Sequence, residues 1–551
     1  MLQNKFLNNK YSGNLFITSF FIVFFFIGYK IHTDYGFYID EKFHRANGFY
    51  WLNYVASFFG LESLEQISKM KLDSIDGFTL PDIKEWNMYG VIFDIPAALL
   101  EISLDLNEPN KYYGLRHLMV FIFFFLGSIF FYKILKNRFK DNFVSFLGLF
   151  LFILTPRIFG DSFWNNKDII FLSLYTISLF YFFKLIDNES WKNILLLSLF
   201  SAFATSIRIA GIFIPLSLLF FFLLNKLSER NDVNLKTIIL YLVSYIIFLF
   251  ISWPFLWSDF SSGLLSVFQL SMSWSGKVNF LGEYYLSNNL PYYYLIFWII
   301  ISTPIIHLTL FIYGFLNCLQ RIILRYFSIK KNNIYNDLWR SNLEKKDFLV
   351  FINLVFFLCA LSFLNLNLYN SWRLGYFLNT FIIYFSTFGV YLLIIKFKNR
   401  INLIKILSFF LILFSINRIF LYHPYQSLYF NILTPTFIKN NVDVDYTGLS
   451  GLSFLKKLAA TEEVDFPIKV SVNSWYPLWR MTELLDKEER EKILVFANDK
   501  KKDAEYLYSN RIYDVDKKYH KKYDIPDNFK KIEVFEIDNT IIYEVYKREK
   551  K

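Results

Sequence analysis

Acids, basic groups and a histidine gather at a few points of a sequence otherwise dominated by apolar runs. The run YIDEKFH places Asp40 beside Glu41, with His44 close behind. If a helix begins there, His44 lies on the face shared by Asp40 (i, i+4) and Glu41 (i, i+3). Neighbouring carboxylates at the edge of an apolar phase suit general-base work, although acids in a first turn also complement the helix dipole. The run TPRIFGDSFWNNKD (155–168) offers Arg157, Asp161, Lys167 and Asp168. A carboxylate there could bind a divalent cation, hold a basic residue, or cap the helix that Asp168 opens. Hard cations want several oxygens, so one aspartate is a thin metal site.

Arg208, in ATSIRIAG, stands between two apolar blocks. A guanidinium so placed is costly unless it meets a carboxylate or an anion, and a lipid phosphate is a good partner. Arg373, in YNSWRLGYF, could do the same or snorkel to the interface. Glu283 (LGEYYLSNNLPYYY) and His423 (YHPYQSLYFN) sit among aromatic residues that would populate an interfacial belt in any membrane protein. For these two, anchoring is the plainer reading.

The elements that must position these groups are membrane helices. Of 551 residues, 55% are hydrophobic and 19% charged, against about 25% charged in a soluble domain. The 68 Phe cannot all hide in one or two soluble cores. About eleven apolar runs approach spanning length, near residues 14–30, 115–133, 142–158, 169–186, 193–208, 211–226, 238–257, 293–316, 348–367, 376–396 and 402–420. The first follows Lys5 and Lys10 without a small-residue cleavage site, so it reads as a retained helix.

The net charge of +11 marks the ends of these runs. With a cytoplasmic N-terminus, every second connection is basic. They hold Lys133, Lys136, Arg138 and Lys140; Lys184 and Lys192; Lys226, Arg230 and Lys236; Arg321, Arg325, Lys330 and Lys331; and Lys396, Lys398, Arg400 and Lys405. Each meets the positive-inside rule. An odd number of spans then puts the C-terminal region outside.

The first external loop, 31–114, is long enough to be functional. It contains two surface helices, about 40–59 and 90–106. The former carries an apolar stripe of Trp51, Leu52, Val55, Phe58 and Phe59. A second external segment, 258–292, is rich in Trp, Ser and Tyr. Beyond the membrane part (1–424), residues 425–551 turn polar. Alternating stretches at 468–474, 492–498, 531–538 and 540–546 read as strands, with Asp538-Asn539 as a hairpin turn. Helical patterns near 449–460, 476–487 and 501–509 separate them, which makes a small α/β domain. The two cysteines, Cys318 and Cys359, lie in or beside apolar runs and support no disulfide framework there.

Together these segments resemble the GT-C superfamily of membrane glycosyltransferases, nearest the protein O-mannosyltransferase and aminoarabinose-transferase branch (family 39-like). DEKFH is similar to that branch's acidic motif after the first helix, whose first acid is the catalytic base and maps onto Asp40. TPRIFGDSFWNNKDIIF looks like its third-to-fourth helix turn, with Asp168 at the helix start. LGEYYLSNNLPYYYLIFWIIISTP and HPYQSLYFN, followed by DVDYTG, resemble further segments of bacterial members. The resemblance covers roughly residues 10–450. It implies transfer of a sugar from a polyprenyl-phosphate donor to a lipid, glycan or protein acceptor, with inversion at the anomeric carbon. Asp40, with Glu41 beside it, would act as base and Arg208 would meet the leaving phosphate. His44, Arg157, Asp161, Lys167, Glu283 and Arg373 would line the substrate site. Asp168 would orient the site directly or through a divalent cation, which some members use; no nucleotide cofactor is implied. The expected place is a bacterial inner membrane, with the C-terminal domain periplasmic.

No helix-turn-helix, zinc-finger spacing or basic stripe points to nucleic acid. A transporter or lipid flippase is the rival from another class, and a scaffold with an inert membrane part is a second. Transporters often carry broken mid-membrane helices and internal repeats, whereas the polar groups here gather at one face.

Overall fold

The computed structural model describes residues 10–75, 89–227, 234–273, 276–327, 339–364, 366–461, 467–514 and 517–549. Lys5, Arg230, Lys330 and Lys331 lie outside the described residues. The long apolar runs all become helices: α1 (Lys10–Ile31), then α2 (Glu41–Phe58), α3 (Glu62–Asp73) and α4 (Asp94–Ser103) in the first loop. There follow α5 (Pro109–Phe139), α6 (Asn142–Ile153), the short α7 (Pro156–Asp161), α8 (Asp168–Asp187), α9 (Trp191–Ile207), α10 (Phe213–Leu227) and α11 (Leu235–Ser252). After α12 (Phe260–Ser273) come α13 (Tyr294–Ser302), α14 (Ile305–Phe327), α15 (Asn342–Phe363), α16 (Leu378–Lys396) and α17 (Ile401–Leu421).

Seven of these helices are long and apolar enough to cross a membrane: α5, α8, α11, α14, α15, α16 and α17. Apolar helices at 15–31, 142–153, 191–207 and 209–224 are shorter. The chain is a multi-pass membrane protein. α8 and α16 are mostly enclosed, whereas α11 and α17 expose rows of large apolar side chains such as Ile239, Val243, Ile246, Leu403, Leu407 and Phe410. Exposed apolar surface in such rows faces lipid. α14 and α16 cross where Gly314 meets the Phe385 carbonyl and Gly389 the Leu310 carbonyl; a Cβ at either would come within 2.4 Å of the oxygen. Small residues permit this close approach of backbones.

Three elements depart from expectation. The run 293–316 is two helices, because Pro304 removes an amide and disfavours helical geometry at Thr303. The carbonyls freed there are taken by a segment far along the chain. Asn431 donates from its backbone to Ile301 O (2.8 Å) and from Nδ2 to Ile300 O (2.5 Å) and Thr303 O (3.0 Å). Thr434 Oγ1 donates to Ile301 O at 3.0 Å. In the aromatic segment 258–292, a hairpin forms from β1 (Lys277–Phe280) and β2 (Glu283–Leu286). In the C-terminal region the stretch expected as helix at 501–509 contains a buried strand, Tyr506–Ser509.

That region follows α18 (Ser450–Ala459) with β3 (Ile468–Val472), β4 (Ile493–Phe496), β5 (Tyr506–Ser509), β6 (Phe529–Ile537) and β7 (Thr540–Arg548), in spatial order β4-β3-β5-β7-β6. β3 runs parallel to β4 and β5, and β7 antiparallel to β5 and β6. The stretch 476–487 is mostly a 3-10 turn, Leu478–Leu484, between β3 and β4. Asp538 and Asn539 both have positive φ and close the β6–β7 hairpin as expected. The hairpin tip is docked on the last span: Arg418 and Tyr422 donate to Asp538 Oδ2, at 2.6 and 3.1 Å.

At the opposite end of the bundle, Arg138 grips Asp347 with two bonds of 2.6 Å, Arg321 reaches the same carboxylate at 2.9 Å, and Tyr384 donates to it at 2.6 Å. Two of the basic residues that mark topology therefore also tie α5 and α14 to α15.

Candidate active site

Asp40 is the N-cap residue of α2, yet its side chain makes no capping bond. Instead Oδ2 accepts a very short hydrogen bond from the Tyr38 hydroxyl. Asp40 is half-buried, and among the described residues its Oδ1 has no partner. Glu41 behaves differently. It is 4% exposed, accepts from Tyr38 N at 2.9 Å, and faces His117 Nε2 with both oxygens, at 3.1 and 3.0 Å. Of the two adjacent acids, only Asp40 is open to a substrate.

Arg373, from the turn before α16, links Asp40 to a second carboxylate. Its Nη1 donates to the Tyr38 hydroxyl at 2.6 Å, and its Nε lies 3.9 Å from Asp168 Oδ2. Arg208, where α9 ends, takes the other oxygen of Asp168 at 2.5 Å. Asp168 is the first residue of α8, whose N-cap position is held by Lys167; Asn165 binds Asp168 from both sides, its Nδ2 donating to Oδ2 and its Oδ1 accepting from the Asp168 amide. One carboxylate thus holds two guanidiniums side by side. The Nε atoms of both Arg208 and Arg373 are buried without a hydrogen-bond partner, an open requirement that an oxyanion would meet.

Lys167 points toward α4, with Nζ 3.4 Å from Asp94 Oδ2 and 4.7 Å from the Tyr89 ring centre. Asp94 also accepts from Asn47 Nδ2 at 2.7 Å and has His44 Nδ1 at 3.8 Å. Burial alone would raise the Asp94 carboxyl, but Lys167, then His44 and Asn47, hold it well below the usual carboxylate range. Burial, helped by the Lys167 charge, lowers the His44 imidazole below its ordinary value. His44 therefore answers to Asp94, a residue the sequence reading passed over, more closely than to Asp40 and Glu41. Below it, Arg45 binds Glu101 at 2.6 Å, with Arg116 Nη2 3.6 Å from the same carboxylate. These pairs fasten α2 to α4 and α5.

Tyr89 and Tyr369 are half-buried at the opening. Burial pushes the Tyr89 hydroxyl up to about 12, so it stays protonated and able to donate.

Of the other expected residues, Asp161 touches this group through Asn165, whose Nδ2 also donates to Asp161 Oδ2 at 3.3 Å, while Arg157 and Glu283 are held elsewhere. Arg157 is buried, donates to Tyr429 O at 2.9 Å, and stacks on Trp298 and Phe430 with ring centres 5.0 and 5.1 Å away. Asp161 is fully buried beside Asn165, Ser427 and Tyr376, and burial raises its carboxyl to about 7. Both are placed as supports beneath the site. Glu283 is exposed on β2 and accepts from the Tyr285 hydroxyl; nothing ties it to the cluster. His423 pairs with Asp34 at 2.9 Å. No three His, Cys, Asp or Glu side chains converge among the described residues, and Asp168 is surrounded by guanidinium and amide donors.

Comparison with known proteins bears on this arrangement. Residues 99–257 match the family described as dolichyl-phosphate-mannose-protein mannosyltransferase. Over that segment the chain is similar to protein mannosyltransferases. The resemblance to the GT-C superfamily is borne out there, and the segment includes Arg157, Asp161, Lys167, Asp168 and Arg208. Two crystal structures of ArnT from Cupriavidus metallidurans align along nearly the whole chain. The undecaprenyl-phosphate complex has a TM-score of 0.44 at 8% identity, covering 96% of this chain and 97% of its own. The apo state has a TM-score of 0.47 at 9% identity, covering 97% and 98%. Likeness of that degree equates no residue of one chain with a residue of the other. A search of curated proteins found no match.

Proposed function

We propose that this protein is a membrane glycosyltransferase that moves a sugar from a polyprenyl-phosphate donor to an acceptor hydroxyl at the outer face of the membrane. The family match over 99–257 supports the reaction class. The observation that carries the site is the chain Asp40–Tyr38–Arg373–Asp168–Arg208, with a free carboxylate oxygen at one end and unpartnered guanidinium N–H groups at the other.

In this reading Asp40 Oδ1 takes the proton of the acceptor hydroxyl as its oxygen bonds to the anomeric carbon. The bond from that carbon to the phosphate oxygen breaks on the opposite side, which inverts the centre. The electron pair leaves with the lipid phosphate, whose added charge is met by the Nε–H groups of Arg208 and Arg373. Asp168 holds the two cations together before the donor arrives. The Tyr38 hydroxyl fixes the orientation of Asp40, and His44 with charged Asp94 holds Lys167 at the wall.

Purified protein given a polyprenyl-phosphate sugar should release the sugar to an acceptor. Asp40→Asn should lower turnover about a hundredfold or more, while donor binding persists. Equal turnover in both would remove Asp40 from the mechanism. Movement of labelled lipid across proteoliposomes without any covalent product would replace the enzyme reading by a flippase.

A further inference from the structure

We infer that the C-terminal α/β domain is a working part of the active site, because the turn between β3 and β4 holds the backbone that carries Asp40. The inference rests on the role given above to Asp40. Residues 36–40 precede α2 and have no ladder or helix of their own. Tyr38 is tied to Glu41 and Arg373, and the peptide groups of Phe37 and Ile39 are held from the turn between β3 and β4. Tyr476 donates its hydroxyl to Phe37 O at 2.8 Å, and Met481 Sδ accepts from Phe37 N at 3.2 Å. Arg480 Nη1 donates to Ile39 O at 2.6 Å, and Lys42 Nζ reaches Glu483 Oε1 at 3.1 Å.

The Arg480 bond falls on the peptide group that joins Ile39 to Asp40, so it sets the plane from which the Asp40 side chain departs. Tyr476 and Met481 are buried, at 1% and 0% exposure, and so are themselves held. On the other flank, Gly36 lies against the Leu449 backbone so closely that a Cβ would come 2.4 Å from the Leu449 oxygen. Simple docking of an appended domain would be satisfied by apolar contact. Here three polar groups and one sulfur are directed at the main chain and a lysine within residues 37–42, and Asp40 lies inside that span. Arg480 and Tyr476 are thus positioning residues, acting through the backbone of residues 37–40.

Hydrogen exchange on the full-length protein in detergent tests this without relying on turnover. In Arg480→Ala, and in the milder Tyr476→Phe, amides of residues 36–42 should exchange at least about tenfold faster, while those of β3, β5 and β7 keep their protection. Where misplacement of the base is the only defect, kcat should fall about ten- to a hundredfold with little change in either KM, and Arg480→Lys should recover part of it. Unchanged exchange at 36–42 in both variants would overturn the inference, as would a loss confined to KM. Faster exchange together with a fully active Asp40→Asn would leave the clamp standing and remove the catalytic role of Asp40, so the two readings fail separately.

Discussion

Asp40 and Glu41 are neighbours in the chain and live in different surroundings. Glu41 is committed to His117, a residue 76 positions away, while Asp40 has one carboxylate oxygen with no partner among the described residues. Spacing could mark both acids but could not divide them, because the partner that immobilises Glu41 belongs to another helix. The same holds for Arg208. Its position between apolar blocks signalled a paired guanidinium, and the pair is Asp168, yet an Nε–H remains free. Arg208→Ala should therefore do two separable things. It should weaken donor binding by roughly tenfold or more, as loss of a charge-assisted bond does. It should also lower thermal stability, because the buried Asp168 loses its partner at Oδ1 and keeps only Asn165 and the more distant Arg373 at Oδ2. Adding Asp168→Asn should return part of the stability and none of the affinity, measured by melting in detergent and by binding of a radiolabelled donor. Asp161 offers a pH test. Burial raises its carboxyl from 3.8 to about 7, so the folded chain keeps a proton that the unfolded chain has lost. Stability from this group falls as pH rises through that window. Asp161→Asn should flatten the decline in melting temperature between about pH 4 and 7, and the variant should compare best with the parent above pH 7.

Elements differ in how plainly they can be read. The apolar runs are legible because block length is the signal, and all of them reappear as helices. The break at Pro304 was readable from the proline itself, yet apolar residues on both sides made one long run. β5 escaped because YLYS is short, buried on both faces and preceded by lysines and acids that mimic a helix; such a strand shows no alternation. In the first loop, the acids of α4 at positions 94 and 101 share its buried side. Two acids seven residues apart in an apolar stretch were the available sign that α4 faces charged partners. α2 and α4 meet at Gly48, where a Cβ would lie 2.4 Å from the Asp94 carbonyl oxygen. Gly48→Val should push the helices apart at a cost of about 1–3 kcal/mol. It should also reduce turnover by displacing Asp94 from Lys167, which a melting curve and a rate measurement on the same preparation would separate.

For the whole molecule, charge placement along the sequence predicts which end faces which compartment, and the structure puts the Arg138–Asp347–Arg321 cluster and the Asp40–Arg208 cluster at opposite ends of the bundle. In a Cys359→Ser background, a cysteine at the exposed Asp499 should react with an impermeant maleimide on intact cells, and one at the exposed Lys398 only after permeabilisation. The reverse pattern would invert the assignment of faces. How the C-terminal domain meets the first loop is not legible in the sequence, since Arg480 and Ile39 are 441 positions apart and neither looks unusual alone.

The split at Pro304 also bears on the order in which the protein is made. Among the described residues, the carbonyls of residues 300, 301 and 303 take donors from Asn431 and Thr434. A bare carbonyl in lipid costs several kcal/mol. Asn431 and Thr434 follow these carbonyls by more than a hundred residues, so during synthesis α13 is made well before the donors it has in the folded protein. A nascent protein halted before Asn431 would hold every apolar run and still be an unfinished membrane domain, open to quality-control proteolysis.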